Sequence, residues 1–111
     1  MIRRQKMATH ELKILPKWYE DVARWQKNFE IRSCKDRDFK VGDTLILKEW
    51  DKGRFTDRPH LIRTVEYVYK GDGTYGLSED WCILGLKKEG FIFQQNGNHN
   101  LQITNCGVLN L

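Results

Sequence analysis

The sequence predicts an α+β domain, a small and mainly antiparallel β-barrel with one helix packed at an opening. Three observations carry that expectation. Residues 16–27 are the one stretch whose apolar residues recur at helical spacing. Later stretches alternate or run apolar at strand length, separated by turns rich in Gly, Asp and Pro. The length of 111 residues, with four Trp, four Tyr and five Phe, suits one core.

Residues 1–8 read as a polar lead-in. His10-Glu11-Leu12-Lys13-Ile14-Leu15 then alternates, which predicts a strand with His10, Leu12 and Ile14 on one face and Lys13 on the other. Pro16 suits the first turn of a helix, where its missing N–H costs nothing. Trp18, Val22 and Trp25 mark the apolar face of that helix, and Lys17, Glu20, Asp21, Arg24 and Lys27 the polar one. After Lys27 the period becomes two. Phe29 and Ile31 point one way; Asn28, Glu30 and Arg32 point the other, the side expected to face outward.

Phe39-Lys40-Val41-Gly42-Asp43 reads as a tight turn into a strand over 44–50. Asp51-Lys52-Gly53 and Asp57-Arg58-Pro59 bracket a short extended piece, Arg54-Phe55-Thr56. Leu61 to Tyr69 is the longest predicted strand, and Trp81 to Leu86 a short buried one. From Lys87 the composition turns amide-rich, so residues 87–111 are expected to form a tail or an appended hairpin outside a 9–86 domain.

Several function classes drop out. Cys34, Cys82 and Cys106 lie far apart and make neither a CxxC pair nor an even disulfide set. His10, His60 and His99 add no metal-ligand spacing, so no metal and no cofactor are expected. No apolar run approaches a membrane span, and no signal-peptide apolar region follows the basic start, which points to a cytoplasmic protein without a membrane partner. A net charge of +4 and a pI near 9.0 are compatible with an anionic ligand.

The stretch Trp25-Gln26-Lys27-Asn28-Phe29-Glu30-Ile31-Arg32 resembles the GxKxxExR signature of ASCH domains, a branch of the PUA-like superfamily. Trp25 stands where that signature has glycine. His10 to Pro16, Arg37 to Asp43 and Glu49-Trp50-Asp51 look like a small uncharacterised ASCH-like family of bacteria and their phages. The resemblance covers residues 9–86. It implies a PUA-like barrel with a groove beside the first helix that takes RNA or a nucleotide-like ligand. Among such relatives one subset hydrolyses acetylated cytidine, and another is reported as a nuclease.

Alternation by itself would make Lys27, Glu30 and Arg32 a solvated ion-pair ladder worth at most about 1 kcal/mol. The resemblance shifts the expectation to a ligand-facing cluster. Residues two apart on a strand share a face at about 6.5–7 Å, so Glu30 and Arg32 can meet, with Lys27 reaching in from the helix–strand junction. Arginine offers a fork and lysine a point charge for phosphate, while the carboxylate can accept from a base amine. Lys13, Arg37 and Lys40 are candidates to extend the phosphate contacts, and Trp50 to stack on a base. His10 is expected to be a satisfied, part-buried imidazole, and Trp18 and Trp81 to fill the core.

The alternative of a small hydrolase would use Lys27 as nucleophile or base. The acetylcytidine-cleaving relatives carry threonine at the position of Glu30 and a glutamate on a later helix, and neither is found in register here. A third alternative, a phage or mobile-element accessory protein that binds another protein, would rest on the tail. Oligomeric state is left open by the sequence.

Overall fold

Residues 6–88, and the backbone of two further strands at Ile92–Gln95 and Leu101–Thr104, are described by the computed structural model. In chain order the elements are β1 (Thr9–Ile14), α1 (Pro16–Ala23), β2 (Phe29–Ser33), β3 (Thr44–Asp51), β4 (Arg54–Phe55), β5 (Leu61–Lys70), a 3₁₀ turn (Thr74–Gly76), β6 (Trp81–Leu86), β7 (Ile92–Gln95) and β8 (Leu101–Thr104). The six strands β1 to β6 form one mixed sheet in the order β1-β3-β5-β6-β2, with β4 pairing off β3. The β1–β3 pairing is parallel and the others are antiparallel. β7 and β8 pair as a separate antiparallel hairpin. The chain is thus an α+β domain.

The expected barrel does not close. β1 and β2 are the two ends of the strand order and share no ladder. The chain between them carries α1, and a side chain spans the seam instead: Arg32 Nη2 donates to the Lys13 carbonyl at 2.9 Å. Burial along β1 follows the alternation, with His10, Leu12 and Ile14 inside. Leu45, Leu47, Leu61, Val65, Leu84 and Leu86 complete a dry interior.

β2 is turned over relative to the sequence expectation. Its alternation is real, but Glu30 is buried, 3% exposed, while Phe29 and Ile31 face outward. Pairing decides this. Glu30 lies opposite Leu84 and Arg32 opposite Cys82, both inward residues of β6, and cross-strand partners share a face. A hydrophobicity rule alone would have buried Phe29 and Ile31.

A similar reversal occurs in β5. The register slips between Val65 and Tyr67, a β-bulge at Glu66. Val65 therefore points in, Tyr67 points out, and Val68 returns to the inner side opposite Leu84.

The helix ends in a Schellman motif built on a tryptophan. Gln26 N–H donates to the Asp21 carbonyl at 2.9 Å and Trp25 N–H to that of Val22 at 3.1 Å. This motif needs a left-handed residue after the cap, and Trp25 supplies it with φ 61°. A glycine would take this conformation freely, whereas the tryptophan accepts a strain of about 1–2 kcal/mol there. Packing holds it: the Trp25 ring joins the core edge and lies 4.5 Å from the Arg63 guanidinium.

Arg63 is the least expected interior residue. It is 1% exposed, between Leu61 and Val65 on the inner face of β5. Its guanidinium donates to the Val22 carbonyl at 3.0 Å and to the Ile62 carbonyl at 2.9 Å. A cation at the last carbonyls of α1 complements the helix dipole as well as the orphan acceptors there.

Asp43, in the turn before β3, is a second anchor. Its carboxylate accepts from the Ala8 and Lys40 backbone N–H groups, each at 3.0 Å, and lies 2.8 Å from His10 Nε2. His10, its ring tilted against that of Phe39 at 4.6 Å, is the satisfied buried imidazole that the sequence suggested. Burial by itself would raise the Asp43 pKa, but the Ala8 N–H, the His10 ring and the Lys40 N–H together hold it below the usual carboxylate range. A carboxyl whose folded pKa is depressed adds stability above its unfolded pKa, near 3.8, and loses it as pH falls through the folded value. Urea unfolding between pH 5 and 3 is expected to show a steeper loss for the wild type than for Asp43→Asn. Parallel curves for the two would refute that role.

Candidate functional site

A cleft of about 630 Å³ opens at the seam between β1 and β2, with α1 along one side. Its floor is the charged cluster. Lys27 Nζ donates to Glu30 Oε2 at 2.5 Å and to the Phe29 carbonyl at 2.7 Å. Arg32 donates from Nε at 3.0 Å and from Nη2 at 2.6 Å to the other carboxylate oxygen, Oε1. Glu30 thus spends one oxygen on each cation.

The local chain explains this convergence. The left-handed turn at Trp25 reverses the backbone and delivers Lys27 directly above the start of β2. The strand period then puts Glu30 and Arg32 on one face, tilted toward the seam. The two cations carry two positive charges against one carboxylate, so the floor retains a net positive charge. An ammonium has three donors and a guanidinium five. Among the described residues, Lys27 uses two of its donors, and Arg32 Nη1 has no hydrogen-bond partner. Both partners of Lys27 are acceptors, so in this geometry the lysine serves as a donor.

Two aromatic rings that the sequence reading did not assign to the site flank this floor. Trp18 is 42% exposed and Phe29 37% exposed, and both line the cleft. The Lys27 ammonium sits 4.9 Å from the Phe29 ring and 5.8 Å from the Trp18 ring. Trp18 was expected in the core. The buried face of α1 is instead Tyr19, Val22 and Ala23, which leaves Trp18 on its flank beside β2. Gln26 and Asp21 add polar groups at the rim. The signal for these residues was the helix face itself, whose true centre is one residue further along than Trp18, Val22 and Trp25 suggest.

The other predicted site residues are divided. Lys13 lines the cleft and places its ammonium 3.9 Å over the Trp50 ring. Trp50 stacks edge-on against Phe55 at 4.7 Å and is not among the lining residues. Arg37 belongs to a separate cleft of about 480 Å³, and its Nη1 lies 3.5 Å from His10 Nδ1. Lys40 pairs with Asp38 at 3.0 Å in solvent. The structure therefore gathers Lys27, Glu30, Arg32 and Lys13, places Trp50 behind Lys13 and outside the cleft lining, and sets Arg37 and Lys40 apart.

The buried thiol of the second cleft, Cys82, is not an activated nucleophile. Burial, and then the neighbouring Cys34 side chain, push the Cys82 pKa up to about 11. Cys34 Sγ lies 3.5 Å from the Glu79 carbonyl. Among the described residues no cluster of His, Cys, Asp and Glu is placed to hold a metal ion, and no helix is long and apolar enough to cross a membrane.

Comparison with known proteins adds a relative from Escherichia phage P2, an uncharacterised 12.9 kDa protein in the GpA 3′ region. The two are 47% identical over 75 residues, which is 68% of this chain. The match spans 64% of the length of the phage protein. A family model matches residues 9–86, from the first residue of β1 to the last of β6. The chain belongs to the family described as a domain of unknown function, DUF3850.

Proposed function

We propose that the seam cleft binds a nucleotide or a single-stranded stretch of RNA. The observation that carries this reading is the pairing of a cationic floor, Lys27 and Arg32, with two exposed rings, Trp18 and Phe29. Phosphate takes the remaining donors of Lys27 and Arg32, and a base stacks on the rings. Each such stack is worth about 1–3 kcal/mol. Glu30, with each oxygen engaged by one cation, positions both of them. The resemblance to ASCH domains, in which a groove beside the first helix is expected to take such a ligand, supports the same reading. A phage-encoded setting is supported by the phage P2 relative.

Binding is tested with fluorescent single-stranded and hairpin RNAs and with nucleoside mono- and triphosphates. Affinity is expected to fall as salt rises, because each phosphate neutralised releases counterions. Lys27→Ala/Arg32→Ala is expected to weaken binding at least tenfold and flatten the salt dependence. Absence of binding by every probe at low ionic strength sinks the reading. Turnover of a modified nucleoside in the same panel would favour the hydrolase alternative.

A further inference from the structure

The outward side of β2, β6 and the second half of β5 carries an apolar surface that meets the seam cleft at Phe29 and Ile31 and extends away from it over Ile83, Tyr67, Tyr69 and Trp81. The ladders align Phe29, Gly85 and Tyr67 in one row and Ile31, Ile83 and Tyr69 in the next, with Trp81 beyond. Ile31, Tyr67 and Trp81 are each 45–61% exposed. Gly85 has no side chain, and a Cβ there would stand 3.1 Å from that of Tyr67, so the row is flat at its centre. The sheet thus has an inner face packed as the core and, over β2, β6 and the end of β5, an apolar patch on the outer one. Soluble domains leave contiguous apolar patches of this kind where another element packs.

We propose that the β7–β8 hairpin of the same chain seats on this face. A two-stranded hairpin is marginal in water and needs a third layer or strand. Its register pairs Phe93 with Ile103 and Gln95 with Leu101, against Ile92 with Thr104 and Gln94 with Gln102. Partners and alternate residues share a face, so one set of positions is mostly apolar and the other mostly amide or hydroxyl. The hairpin is amphipathic by pattern, and the sheet offers the complementary surface.

The connection is long enough. β6 ends at Leu86, and Lys87 N–H is held by the Thr64 carbonyl at 2.8 Å, which fixes where the tether starts. From Leu86 to Ile92 the chain spans up to about 20 Å. Three strands of sheet are only about 10 Å across. Tethering also raises the local concentration of the hairpin over that of any hairpin from another copy.

The full-length chain with methyl-labelled Ile and Leu tests this by nuclear Overhauser spectroscopy. Cross-peaks from Ile103 or Leu101 to Ile31 or Ile83 are expected in a sedimentation-verified monomer. Phe93→Glu/Ile103→Glu is expected to erase them and to raise binding of a hydrophobic dye several-fold, with the core methyl spectrum kept. No cross-peaks, or equal dye binding by wild type and variant, overturns the proposal. Cross-peaks found only between differently labelled copies overturn it in favour of a second chain as the occupant.

Discussion

Replacing Glu30 with alanine is expected to cost about 3 kcal/mol of folding stability and to lower Tm by roughly 10–20 °C. The magnitude follows from burial. The Glu30 side chain is 4% exposed, and its two partners, Lys27 and Arg32, are 15% and 22% exposed. Removing the carboxylate leaves two cations facing each other with no anion between them, in a place where water cannot fully screen them. A surface ladder, the reading that alternation alone supports, would lose at most about 1 kcal/mol. Urea and thermal unfolding of Glu30→Ala separate the two, and a loss below 1 kcal/mol would show that the cluster is solvated. Removing all three charges at once, as Lys27→Met/Glu30→Met/Arg32→Met, is expected to restore part of the stability while abolishing nucleotide binding. That split distinguishes a structural ion pair from a site that keeps its charges for a ligand.

Arg63→Ala is expected to be as damaging, at about 3–4 kcal/mol. The substitution empties a space filled by the largest fully buried side chain of the domain. It also removes donors from the Val22 and Ile62 carbonyls and the cation from the Trp25 ring. Arg63→Lys is expected to recover less than half, because an ammonium cannot reproduce the planar fork. The consequence reaches the cleft. Arg63 holds the end of α1, the end of α1 holds the left-handed Trp25, and Trp25 aims Lys27 at Glu30. Ligand affinity is therefore expected to fall in Arg63→Lys even under conditions where the variant is fully folded. Unchanged affinity with reduced stability would confine Arg63 to the core.

Local pattern carried much of this fold. Period two gave β1 with His10, Leu12 and Ile14 inside, and that face is the buried one. Pro16 marks the start of α1 and the change of period after Lys27 the start of β2, while the helix itself ends at Ala23, four residues short of that change, because Trp25 turns left-handed. The turn at Asp51-Lys52-Gly53 is a tight hairpin because Lys52 and Gly53 both adopt positive φ, at 51° and 85°. The charge spacing Lys27, Glu30, Arg32 reads correctly as one cluster, since junction and strand are contiguous and their geometry is short-range.

Other features were illegible for physical reasons. The bulge at Glu66 changes which of Val65, Tyr67 and Val68 faces inward, and nothing in the residues themselves marks it. Arg63 reads as a surface residue because a buried guanidinium is rare, and only the distant carbonyls of α1 make its position tolerable. Trp18 and Trp81 look like core residues for the complementary reason. Arg37 and Lys40 are near Arg32 in sequence yet belong to another cleft and to solvent, because the chain turns away after β2.

The sequence alone determined the elements, their order and the company that Lys27 keeps, because those depend on backbone preferences a few residues long. Only the tertiary structure decided that Glu30 faces in and Phe29 out, that the sheet stays open at β1 and β2, and that Trp18 flanks the opening. Those outcomes depend on which strand lies beside which, and a pairing partner about fifty residues away sets the orientation of every side chain in β2.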